Sequence, residues 1–131
     1  MLKRDFIMVQ IEELGKVIAR IISQRNSGAT RQIPEQIQTV YDALKLDKDS
    51  LMNASLDDLC HKLDYEDSEG IRRLEIATKA LKEESYLFSG QQRIDRLLRA
   101  KDLLEYLQKN DHTFSLERLA LLDEINDEIN E

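Results

Sequence analysis

The sequence predicts an all-α protein, with five or six antiparallel helices in one domain over residues 1–131. Three observations predict it. Apolar residues recur at steps of three and four along almost the whole chain. Valine, isoleucine and threonine never alternate with polar residues over a strand's length. One proline and four glycines leave few breaks, and short connections favour antiparallel neighbours. With 131 residues, 41% apolar and 34% charged, the chain can bury one core without staples.

The first helix is expected from about Asp5 to Arg25. Ile7, Ile11, Leu14, Ile18 and Ile21 form a heptad-like seam. Phe6, Val9, Val17 and Ile22 widen it beyond what one neighbour covers. The second and last helices of the same chain would cover it, or the first helix of a second copy would, giving a homodimer. Asn26-Ser27-Gly28 ends this helix, with Gly28 suited to the left-handed conformation. Pro34 suits the first turn of a second helix, whose apolar face is Ile33, Ile37, Val40, Tyr41 and Leu44.

KLDKDSLMNASLDDL is broken by Asp, Ser and Asn and reads as a loop with one short turn of helix. Ser55 then caps a short helix carrying Leu56, Leu59, Cys60 and Leu63, with Asp58 completing a capping box. DYEDSEG is an acidic linker. The next helix is expected to reach Phe88, with Ile71, Leu74, Ala77, Leu81 and Phe88 inward, until Ser89-Gly90 breaks it. Ile94, Leu97, Leu98, Leu104 and Leu107 mark the following helix, ended by Asn110-Asp111. Phe114 can staple onto Leu119, and a last helix buries Leu116, Leu119, Leu122, Ile125 and Ile129.

Charge alternates in blocks: +2 over 1–45, −6 over 46–69, +3 over 70–110 and −6 over 111–131. Such blocks suit ion pairing between packed helices, or an acidic surface facing a basic partner. A net charge of −7 argues against a nucleic-acid binder, even one using Arg72, Arg73, Arg93, Arg96 and Arg99. One cysteine, no apolar leader and no long apolar run predict a soluble, cytoplasmic protein without a membrane partner.

Within SYLFSGQQRIDRLLRAKDLLEYL, the residues Ala77 and Ala80 just before it, and Gly90, Ala100 and Tyr106 inside it, resemble a tetratricopeptide helical hairpin, though without tryptophan or a closing proline. Three further segments are RDFIMVQIEELGKVIARII, ALKLDKDSLMNASLDDL and KDLLEYLQKNDHTFSLERLALLDEI. In that order they resemble a family of small bacterial helical proteins of tetratricopeptide-like architecture and no assigned function. The resemblance implies a tetratricopeptide-like array or bundle of bacterial origin. It implies no catalytic residue.

The chemistry-bearing residues do not assemble a known set. Asp58 and His61 share a helix face, as metal ligands can, but a di-metal bundle needs a second such pair, and His112 has Lys109 at that spacing. A metal-binding or enzymatic bundle using Asp58, His61 and the acids of 64–69 is the alternative reading. Cys60 reads as a small core hydrophobe. Asp47-x-Asp49 starts like a calcium loop, but Leu51 occupies a ligand position. No glycine opens a phosphate loop, and GxSxG is absent. The expectation is therefore a non-enzymatic protein-interaction module with no cofactor and no metal. Its partner-binding candidates are Arg93, Arg96 and Arg99 with Tyr86 and Tyr106; pairing with neighbouring acids, and packing of Tyr41, Tyr65, Tyr86 and Tyr106 between helices, are the structural alternatives.

Overall fold

The computed structural model describes residues 3–65, 67–113 and 115–130, with side chains from residue 5 onward. Among them are seven α-helices and no strand: α1 (Lys3–Ser27), α2 (Ile33–Ala43), α3 (Lys48–Asn53), α4 (Leu56–Asp64), α5 (Gly70–Glu84), α6 (Gly90–Asn110) and α7 (Leu116–Ile129). The chain is all-α as expected, with one helix more than the five or six read from the sequence.

The additional helix is α3, six residues long, in the stretch read as a loop with one short turn of helix. Asp47 caps it, its carboxylate accepting from the Ser50 N–H at 2.9 Å, and Leu51 is fully buried. A cap and one anchoring leucine hold six residues that periodicity could not have flagged. The other boundaries follow their local signals. Gly28 has φ +81° past the end of α1, and Pro34 sits in the first turn of α2. The Ser55 hydroxyl accepts from the Asp58 N–H at 3.2 Å. The expected staple on Phe114 lies outside the described residues.

Helix α5 stops at Glu84, short of Phe88. The Ser85 hydroxyl donates to the Lys82 carbonyl at 2.6 Å, and residues Ser85–Leu87 tighten into a 3-10 turn. Gly90, at φ +60°, then opens α6.

Helix α5 is the centre of the packing. It contacts α1, α2, α4 and α6, while α2 also packs on α1 and α7 on α6. One continuous apolar cluster runs from Ile7 to Ile125 through Leu51, Leu81 and Leu104. Helix α1 is thus covered by α2 and α5, not by α2 and the last helix. Phe6 and Val9 remain 53% and 44% exposed. Three expected core leucines also face outward: Leu98, Leu116 and Leu119. In α7 the buried face is centred on Ile125 and Arg118. Arg118 is bound by Glu75 and Asp111, and this turns the first turn of α7 so that Leu116 points away.

At the α4–α5 corner, a Cβ on Gly70 would lie 2.6 Å from the Cys60 carbonyl oxygen, so only glycine lets the two helices approach. Gly15, in the middle of α1, has nothing within 4 Å of that position. Gly70→Ala is expected to cost about 1–3 kcal/mol by overpacking. Gly15→Ala should instead stabilise by about 0.5–1 kcal/mol through lost unfolded-state freedom. Urea unfolding midpoints read both, and effects of the same sign would refute this description of the two sites.

Candidate interaction groove

Because α5 is enclosed by other helices, its charged residues have to find counter-ions. Arg73 donates to both Asp67 oxygens at 2.7 and 2.5 Å and to the Leu63 carbonyl at 3.0 Å, and it lies 4.1 Å from the Tyr65 ring. Glu83 accepts from Arg25 of α1 at 2.6 Å. Glu84 pairs with Lys48 of α3 and with Arg96 of α6, the latter at 3.2 Å.

The remaining ties run to α7. Glu75 binds Arg118 at 2.5 Å, Lys79 binds Glu117 at 2.6 Å, and Lys82 binds Glu124 at 2.5 Å and Glu128 at 3.4 Å. Partners advance along both helices in the same direction, so α7 runs parallel to α5. Helix α1 brings its C-terminal end to the C-terminal end of α5 through Arg25 and Glu83.

Between α1 and α7, over α5, lies a cavity of about 190 Å³. Its apolar lining is Ile22, Ala120 and Leu121, and Lys79, Lys82, Glu83, Glu117 and Glu124 complete it. The charges are layered. Lys82 and Lys79 are 2% and 26% exposed, whereas their partners Glu124 and Glu117 are 49% and 72% exposed. In these two pairs the lysines lie at the floor and the glutamates at the lip, while Glu83, buried and bound by Arg25, is a carboxylate of the floor.

Tyr86 adjoins the groove through Lys82 and Glu124. Its ring has Arg25 at 4.1 Å, Lys82 at 4.6 Å and Arg93 at 5.5 Å. Its hydroxyl donates to Glu128 and accepts from Lys82 at 2.5 Å. Burial, reinforced by the Glu128 carboxylate, pushes the Tyr86 hydroxyl up to about 12. Arg93 Nε and Glu128 Oε2 are buried without a protein partner among the described residues.

Of the five residues singled out in the sequence, the structure brings Tyr86 and Arg93 together. The other three lie elsewhere. Arg96 binds Glu84 and stacks 3.6 Å from the Phe88 ring. Arg99 donates to the Leu51 and Ala54 carbonyls at 2.7 and 2.5 Å. Tyr106 donates to Asp57 at 2.9 Å. The interleaved acids of α6 are not what binds these arginines; α3, α5 and the α3–α4 link do.

Asp58 and His61 stand exposed on α4, away from the groove, and no group of three or more His, Cys, Asp or Glu among the described residues is placed to hold a metal ion. Burial pushes the Cys60 thiol up, away from a reactive thiolate. His112 lines a separate polar cleft of about 480 Å³ with Arg72, Glu75, Asp111 and Arg118. Of the groove residues, Ile22 was read from the sequence only as widening the apolar face of α1, and Lys79, Glu117, Ala120, Leu121 and Glu124 were not singled out. Their one trace is Glu117 and Glu124, seven apart on one face of α7.

No family model matches the chain, and no curated protein or solved structure matches it. No helix among the described residues is long and apolar enough to cross a membrane.

The Lys82–Tyr86 cluster sets an alkaline limit. Lys82 is held above its ordinary value: burial pulls its pKa down, but hydrogen bonds to Glu124 and Tyr86 outweigh it. Tyr86 is also raised. Both groups keep their protons in the folded state after the unfolded chain has lost them, so stability should be full below pH 10 and fall from about 10 to 12. Tyr86→Phe should make that fall shallower. An unchanged slope of urea midpoint against pH would refute the assignment.

Proposed function

We propose that this chain is a non-enzymatic protein-interaction module of tetratricopeptide-like type that takes a partner segment into the groove between α1 and α7. The observation that carries the reading is the groove itself, an apolar strip of Ile22, Ala120 and Leu121 open beneath a charged lip. Helix arrangement supports it. Helices α1, α5 and α7 stand side by side, α1 and α7 each tied to α5 by ion pairs, while α2 packs on α1 and α5, and α6 on α5 and α7. Arrays of helical hairpins present concave binding faces in this manner. The charged residues of α5 are consumed in ties between helices, which leaves them no role at a reacting atom.

Ala120→Trp would fill the strip from an exposed position. Immobilised wild-type protein should retain a specific partner from a cell lysate, and the variant, with unchanged helicity and melting temperature, should lose it. Retention of the same partner by both proteins would place binding elsewhere.

A second contact is proposed at the outer face of α1, for a second copy of the chain, because Phe6 and Val9 stay exposed there. Sedimentation should then give a dimer that Val9→Lys converts to a folded monomer. A monomer before and after the substitution would remove this contact.

A further inference from the structure

The layering of charge in the groove identifies what should occupy it. This step rests on the reading that the groove takes a partner segment. In the two ion pairs that line the cavity between α5 and α7 the lysine is the buried member and the glutamate the exposed one: Lys79 26% against Glu117 72%, and Lys82 2% against Glu124 49%. A lysine on a long aliphatic stem reaches up from the floor, and the carboxylate stays at the surface. In each pair one carboxylate oxygen is bound, Oε1 by the lysine below. An approaching molecule therefore meets carboxylate, not ammonium.

The outer surface of α7 adds Asp123 and Asp127, both exposed. On α1, Glu12, Gly15 and Ala19 share by their spacing the face of the lining residue Ile22. Ala19 is exposed, and Gly15 has open space where a Cβ would be. That face of α1 is thus small beyond Ile22, with a further carboxylate about 15 Å along the helix. The cavity, about 190 Å³, is smaller than a pocket for a drug-sized ligand and suits single side chains entering from a surface-bound segment.

We propose that the occupant is a basic amphipathic helix. Its apolar face lies on Ile22, Ala120 and Leu121, and its Lys or Arg stems cross that strip to place their charges at Glu117 and Glu124. Those two glutamates are seven residues apart, about 10 Å along the α7 axis. Cations seven apart on a partner helix match that distance. This is helix-in-groove recognition with charge at the lip setting the choice of partner.

The test uses the full-length protein and three labelled 16-residue peptides in fluorescence anisotropy. The first is a Leu/Ala-faced helix with lysines seven apart, the second has glutamates in their place, and the third is a scramble of the first. The basic helix should bind. Its affinity should fall at least tenfold in the Glu117→Gln/Glu124→Gln variant, in which Lys82 keeps Glu128 and Tyr86 as partners and whose helicity and urea midpoint are read beside the wild type, and fall again between 50 and 500 mM salt. Ala120→Trp should abolish binding, and the acidic helix should not bind.

Binding of the acidic helix instead, still blocked by Ala120→Trp, would overturn the basic partner and leave the groove reading standing. Equal binding of the scramble would reduce the effect to bulk charge attraction and overturn the inference. Binding indifferent to both variants would overturn the groove as well, and no binding by the basic helix would overturn its role as occupant.

Discussion

The rest of the structure depends on keeping the charges of α5 paired. This helix packs on α1, α2, α4 and α6 and is tied by ion pairs to α3 and α7, and Arg73, Lys82, Glu83 and Glu84 are all 7% exposed or less. Leaving one such ion without its partner costs about 3–5 kcal/mol, a large share of a domain's total stability. Five surrounding elements therefore bring an opposite charge to a set place: Arg25 from α1, Lys48 from α3, Arg96 from α6, Glu124 from α7 and Asp67 from the link before α5. Apolar burial drives the helices together, while these pairs select one arrangement among several that would bury similar area. Moving α7 one turn along α5 would separate Arg118 from Glu75 and Glu124 from Lys82 together.

The same constraint shapes the surface. Residues 111–131 carry a net charge of −6 and residues 70–110 a net +3. Pairing between α5 and α7 neutralises part of both blocks, but it does so asymmetrically, because lysine reaches farther than glutamate. Lys79 and Lys82 of α5 end up beneath the surface and Glu117 and Glu124 of α7 on it. An acidic lip over an apolar strip is thus a by-product of how α7 is held, and it is the feature a partner would meet first.

Tyr86 joins the two roles. It follows α5 in the 3-10 turn, where the Ser85 hydroxyl competes for the helix's last carbonyls. Three cations around its ring and Glu128 at its hydroxyl fix the C-terminal ends of α1, α5 and α7 near one another. Arg93 approaches from α6 with its Nε without a hydrogen-bond partner, so the arginine read from the sequence as a partner contact lies against the Tyr86 ring.

By itself the sequence determined that the chain is helical and where most helices begin and end. Steps of three and four between apolar residues, Gly28, Pro34, Ser55 and Asn110 are local signals, and each acts within a turn or two of where it stands. It also placed most of the core, through Ile18, Val40, Leu59, Leu74 and Leu107. Only the tertiary structure decided that Leu98, Leu116 and Leu119 face outward, that Lys82 is buried, and that Ile22 and Leu121 line one groove. Periodicity says that a face is apolar but not which neighbour meets it, and a charged residue's partner can lie anywhere along the chain. Lys82 and Glu124 are 42 residues apart, so their contact depends on how α5, α6 and α7 stack.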